Sequence, residues 1–277
     1  MKKTAAPARS RPPTAVSIAS SDSSGGAGIQ ADLLTFAAHG VHGATVVVAG
    51  TAQNTLGVRS VEPFSVRFLT RQLDAVFEDL RPRAVKIGML FDGPRILAVA
   101  RALDRHRARN VVVDPVLVST SGARLLSRPA IETLRRVLLP RCDLATPNLP
   151  EAETLARMRI RSDGDRRLAA GILADIGARA VLIKGGHGHG PESRDLLFDG
   201  RFFTEFAAPR IRTRAKHGTG CTLSAAIAAN LALGRGVEDA VLRAIAYLRA
   251  GLARGYFPGR GRGVPDRCPP GYNYRTR

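Results

Sequence analysis

A glycine-punctuated turn, His217–Gly218–Thr219–Gly220–Cys221, runs directly into a small-residue apolar stretch, 222–233, with the composition of a buried helix. Gly218 and Gly220 let successive backbone N–H groups converge on one point, and the helix behind them adds its positive N-terminal end. Turn and helix together make an anion site, and a phosphoryl group in transfer is an anion that uses both. Cys221 stands in the first turn of that helix, where a thiolate is favoured over a buried thiol. Taken alone, the same residues also describe a glycine cap followed by an Ala-rich core helix with a buried cysteine. Other residues of chemical interest lie elsewhere in the chain. Lys184, in KGGHG, offers a mobile cation, and Asn148 and Glu151, in NLPE (148–151), offer oxygen ligands to magnesium, directly or through water. The Gln53 amide presents the donor–acceptor pair that an aminopyrimidine edge would accept. None of the five lysines sits in a GxxxxGK[ST] sequence, so a nucleoside triphosphate would need another scaffold.

Those residues have to be brought together by the elements around them. Residues 14–19 read as a short buried strand, 20–28 as a loop and 29–39 as a helix. The run at 43–50 is β-branched without alternation, the mark of a strand covered on both faces. Further strands are expected at 84–89, 110–116, 144–147 and 180–186. Helices are expected at 64–80, 93–107, 128–139, from about 150, at 164–177 and at 237–254, and a hairpin at 195–206 turns on Asp199–Gly200. Strands alternating with helices predict an α/β fold, a mostly parallel sheet with helices on both faces. Ligands bind beyond the carboxyl ends of such strands. Asp22, Gln53, Met89, Asp114, Asn148, Glu151 and Lys184 all fall at those ends. The G-x-G-x-x-A match at 26–31 lies five residues beyond its strand rather than in the turn itself, and no acid follows the second strand. A flexible flap over a small substrate fits it better than a dinucleotide site.

Composition narrows the classes. No run reaches the roughly eighteen uncharged apolar residues a membrane helix needs. The opening MKKTA is followed by prolines and arginines rather than an apolar stretch, so no signal peptide is expected. Three scattered cysteines give neither a disulfide framework nor a zinc spacing, which fits a reducing cytoplasm. The net charge of +19 raises the question of nucleic acid, but 42 basic residues include only five lysines, and much of the excess lies in residues 1–13 and 254–277. With no tryptophan and 5% aromatics there are few platforms for base stacking. Weak polyanion binding through basic tails is expected; a specific nucleic-acid function is not. The chain is therefore read as a basic, disordered tail over 1–13, a single domain over 14–255 and an Arg/Gly/Pro-rich C-terminal tail over 256–277.

The motifs SDSSGGAGIQAD (21–32), AQNT (52–55), KIGM (86–89), VVVDPV (111–116), TPNLPEA (146–152), KGGH (184–187) and HGTGCTLSAA (217–226) occur in this order. Together they resemble the hydroxymethylpyrimidine and phosphomethylpyrimidine kinases of thiamine biosynthesis, within the ribokinase superfamily. The resemblance implies a ribokinase-like three-layer sandwich, a homodimer, and two successive ATP-dependent phosphorylations of a small pyrimidine alcohol. It implies that Gln53, Ala27, Met89, Val116 and Asp22 line the pyrimidine pocket. It further implies that Cys221 acts as the base in the turn formed with Gly218, Thr219 and Gly220. Glu151, Asn148 and Asp114 would organise magnesium, and Lys184, Asn148 and Thr213 would contact the nucleotide. Ser20 replaces a glycine usual in the family, and Ile245 stands where many members carry a lysine. A pyridoxal kinase of the same architecture, or a ligand-binding module that kept the fold without catalysis, are the alternatives.

Overall fold

Strands that are apolar throughout need cover on both faces, and the chain supplies it with two layers of helices. The computed structural model describes residues 11–117, 126–187 and 190–271 of the 277. Six parallel strands form the sheet centre in the order β2 (His42–Asn54), β1 (Thr14–Asp22), β4 (Ala84–Ile87), β5 (Val111–Val113), β6 (Leu144–Ala145), β7 (Val181–Ile183). β3 (Gly57–Pro63) pairs antiparallel with β2 at one edge; β8 (Glu192–Phe198) and β9 (Phe203–Pro209) close the other. The strand order reverses at β1, whose neighbours are β2 and β4, so a crevice opens at their carboxyl ends.

The side-chain period of two assigns strand residues to the layers. Val111 and Val113 pack with Leu69, Phe77 and Leu173 against α2 (Val66–Leu80), α3 (Gly93–Arg105), α4 (Arg128–Thr133), α5 (Leu149–Ala156) and α6 (Asp163–Asp175). Val112 faces the opposite way, into a core with Phe36, Ile227 and Tyr247 from α1 (Gly28–Ala38), α7 (Thr219–Ala232) and α8 (Val237–Ala253). α7 is buried at every position from Thr222 to Ala232. Its alanines let it lie close to the sheet, between α1 and α8, with its N-terminus at the crevice. Lys86 shares its strand face with Ala84 and so points into this same layer.

Three parts differ from the sequence reading. β2 runs on to Asn54 and pairs with β3, a hairpin beyond the core whose polar residues hid it; Gln53 is therefore a strand residue. The helix expected over 128–139 is α4 followed by a wide π turn, Leu134–Leu138, and a 3₁₀ turn, Leu139–Arg141. Pro140 has no N–H to continue an α-helical ladder. The stretch set apart as a C-terminal tail packs onto the domain as far as it is described, to Gly271. Tyr256 and Val264 pair as an antiparallel bridge, Val264 and Arg267 are buried, and the Asp266 amide donates to the Gly251 carbonyl at 3.0 Å. Residues 1–10 of the N-terminal tail lie outside the described residues. Among the described residues, no helix is long and apolar enough to cross a membrane.

Candidate active site

Every site residue named from the sequence lines one cavity of about 680 Å³ at the carboxyl ends of the strands, together with Ser20 and Ile245. At its centre is the head of α7. Gly218 is the N-cap, with φ of 74°, a left-handed conformation that only glycine adopts freely. A Cβ there would fall 1.9 Å from the Gly26 carbonyl oxygen, so the turn and the 23–27 loop touch through their backbones. The first amides of a helix lack intrahelical partners, and here Gly218 to Cys221, which carry them, line the cavity.

Beside the turn lies a charged cluster. Lys184 Nζ donates to Asp114 Oδ1 at 2.7 Å and stands 3.9 Å from Glu151 Oε2. A Cβ on Gly220 would lie 3.3 Å from Asp114 Oδ2 and 3.5 Å from Lys184 Nζ, which sets the cluster directly against the glycine turn. Asn148 and Glu151 close a capping box at the start of α5, each accepting the other's backbone N–H, at 2.9 and 2.8 Å. Burial pushes the Glu151 carboxyl up to about 7, beyond what the Lys184 ammonium and the Asn148 amide recover; the Asp114 charge adds to the rise. Since the folded value exceeds the ordinary carboxyl value of 4.5, the protonated form is the better tolerated one in the fold. Its contribution to stability is complete below about pH 4.5 and is lost as pH rises through about 7. Glu151→Gln, which keeps the acceptor and cannot ionise, should therefore gain melting temperature relative to the natural chain between pH 4.5 and 8. A difference that stays constant across that range would contradict this.

On the other side of the turn, His217 Nε2 lies 2.9 Å from Asp22 Oδ2, which also accepts from the Ala27 amide at 2.9 Å and from Gln53 Nε2 at 3.3 Å. Burial raises the Asp22 carboxyl, but hydrogen bonds from His217 and Ser24 outweigh it and hold the group below its usual range. Gln53 Nε2 is 3.2 Å from His217 Nε2, and Thr51 Oγ1 donates to Gln53 Oε1 at 3.2 Å. Met89 is joined to the strand-end loop through its carbonyl, which accepts from Ser20 Oγ at 3.3 Å. Thr213 borders the cavity with Ile211, Leu248 and Leu252.

The head of a helix suggested a thiolate at Cys221. The surroundings of Cys221 act the other way: burial raises the thiol, with Asp32 and Asp114 adding to it, against the Lys86 ammonium and the Gly28 amide. Lys86 was not singled out from the sequence, although a lysine inside an apolar strand is itself a signal. It is fully buried, donates to Asp32 Oδ2 at 2.8 Å and shares that acceptor with Ser17. Burial disfavours its charge, yet Asp32, Cys221 and Asp114 more than compensate and shift it upward. His217, visible in the motif but given no role there, is the second omission.

The phosphomethylpyrimidine kinase family model matches residues 22–266. The chain belongs to this family. The hydroxymethylpyrimidine/phosphomethylpyrimidine kinase of Bacillus subtilis is 47% identical over 252 residues, covering 90% of this chain and 92% of the relative. Among solved structures, the phosphomethylpyrimidine kinase of Clostridium difficile is 41% identical, with a TM-score of 0.78 over 86% of this chain and 98% of its own. The pyridoxal kinase of Staphylococcus aureus in complex with ADP is 32% identical, with a TM-score of 0.88 over 96% of each chain. The fold is ribokinase-like and the chain is a kinase of this family, whose match runs beyond α8 into the packed C-terminal segment.

Proposed function

We propose that the protein uses ATP to phosphorylate the hydroxymethyl oxygen of 4-amino-5-hydroxymethyl-2-methylpyrimidine, and then the monophosphate to the diphosphate, in thiamine biosynthesis. The observation that carries this reading is the 3.2 Å approach of Gln53 Nε2 to His217 Nε2. It sets the amide suited to an aminopyrimidine edge beside the residue that opens the phosphate turn. Identities of 47% and 41% to two pyrimidine kinases, against 32% to a pyridoxal kinase, support the pyrimidine over the pyridine.

In this reading the amides of 218–221 hold the γ-phosphoryl group, Lys184 contacts the phosphates, and the apolar end of the cavity near Thr213 receives the nucleoside. Asp22 and His217 fix the Gln53 amide, and Ala27, Met89 and Val116 enclose the ring. As the new O–P bond forms, the hydroxymethyl proton passes to Cys221 Sγ, the γ-phosphorus bond to the bridging oxygen breaks, and ADP leaves. Burial holds the Cys221 thiol above its usual range, so positioning and backbone donors carry most of the barrier reduction. Asp114 and Glu151 are two buried carboxylates sharing one ammonium, and with Asn148 they would hold a magnesium ion. When bound, that ion neutralises phosphate charge. The reading includes a homodimer, supported by the exposed Leu56, Phe64 and Phe68 on and beside the β2–β3 hairpin.

Coupled ADP-release assays with the pyrimidine alcohol, its monophosphate and pyridoxal test the assignment. Turnover with both pyrimidines well above that with pyridoxal is expected; preference for pyridoxal, or background turnover with all three, would overturn it. Gln53→Ala should raise the pyrimidine KM about tenfold, the value of one hydrogen bond to the substrate, with kcat little changed. A loss confined to kcat would contradict its role in binding.

A further inference from the structure

Arg267 is only 5% exposed, yet no carboxylate among the described residues pairs with it. A buried cation without a counter-charge is costly, and so the partners it does have are informative. Its Nη2 donates to the Gly26 carbonyl at 2.5 Å and its Nε to Thr222 Oγ1 at 3.1 Å. Gly26 belongs to the loop that bears the substrate-lining Ala27; Thr222 is in the first turn of α7. The guanidinium is held by a fixed support, because the Arg267 carbonyl accepts from Tyr247 Oη on α8 at 2.7 Å. Space around the contact is tight: a Cβ on Gly218 would meet Arg267 Nη2 at 2.7 Å, and one on Gly26 would meet His217 Cδ2 at 2.3 Å.

We infer that Arg267 is a positioning residue for phosphoryl transfer, a two-pronged clamp from the C-terminal segment that fixes the substrate loop to the phosphate turn. This rests on the function proposed above. A transfer reaction needs the attacking oxygen and the phosphorus held at a set separation, and the two pieces of backbone that hold them come from opposite ends of the chain. The clamp also brings a permanent positive charge to the neighbourhood of Cys221. Lys86 from β4, Lys184 after β7 and Arg267 favour the thiolate there, while Asp32 from α1 and Asp114 after β5 oppose it.

The test uses the full-length chain carrying Cys268→Ser, so that Cys221 is the accessible thiol, since Cys142 is buried. Arg267→Met should lower kcat for the pyrimidine alcohol about 10- to 100-fold, with ADP affinity by calorimetry changed less than about threefold. It should also move the pH midpoint of Cys221 alkylation by iodoacetamide upward. Arg267→Lys restores the charge but cannot span both acceptors; the midpoint should return and kcat should not. Thr222→Val removes one acceptor and should lower kcat about tenfold. Arg267→Met with kcat within twofold of the parent and an unmoved midpoint would overturn the inference, as would full recovery of kcat by lysine. If Arg267→Met does not fold, Thr222→Val decides, and an unchanged kcat there overturns the clamp. A parent protein inactive on every pyrimidine would sink the substrate assignment instead, while the alkylation midpoint would still report on Arg267.

Discussion

Replacing Cys221 by alanine is expected to lower kcat about 10²- to 10⁴-fold, the usual cost of losing a general base, while ATP and ADP still bind. On the proposed function, nucleotide binding should survive because the backbone amides of the turn and Lys184, assigned there to the phosphates, are left in place by the substitution. The thiol is raised by burial and by two carboxylates, so the loss belongs at the lower end of that range if positioning dominates. The activity of the natural enzyme should also climb with pH as the thiolate fraction grows, and the alanine variant should lose that climb. Turnover equal to the natural enzyme's would remove Cys221 from the mechanism.

Lys86→Met should be the most destabilising single change in the site. The ammonium is fully buried and holds Asp32, whose second oxygen, Oδ1, has no partner among the described residues. Removing it leaves a buried carboxylate with the Ser17 hydroxyl alone, and breaking such a pair costs about 3–5 kcal/mol. For a chain of this size that corresponds to a melting temperature lower by roughly 10 °C. Adding Asp32→Leu should recover most of the loss, since a neutral apolar pair of similar volume is tolerated far better than half of an ion pair. A lysine-only variant that melts within about 2 °C of the natural protein would show that the pair does not support the site.

How far the sequence could be read follows from which signals are local. The strands at 111–113 and 181–183 declare themselves as short apolar runs, and the glycines of HGTGC mark a turn that the fold then uses. Strand ends collect the polar residues of a parallel sheet, so the cavity's lining from Asp22 to Lys184 was legible before its shape was known. Pairings across long separations were not. Lys86 and Asp32 are 54 positions apart, and nothing in either strand or helix states that they meet. Arg267 was hidden for a different reason: its surroundings are rich in Gly, Pro and Arg, a composition that reads as disorder. Tertiary contacts, among them those with Gly26, Tyr247, Gly251 and Thr222, order them. Cys221 shows the limit of a local electrostatic argument, because the helix end favours a thiolate while carboxylates from α1 and the end of β5 oppose it.

Transfer by this route requires the two reactants to meet at the head of α7. A crystal structure with a non-hydrolysable ATP analogue, magnesium and the pyrimidine alcohol tests it most directly. The γ-phosphoryl group should lie on the amides of 218–221, the ring against Gln53, and the hydroxymethyl oxygen within hydrogen-bond reach of Cys221 Sγ. A γ-phosphoryl group bound away from the head of α7, or a pyrimidine seated out of reach of Gln53, would contradict the account.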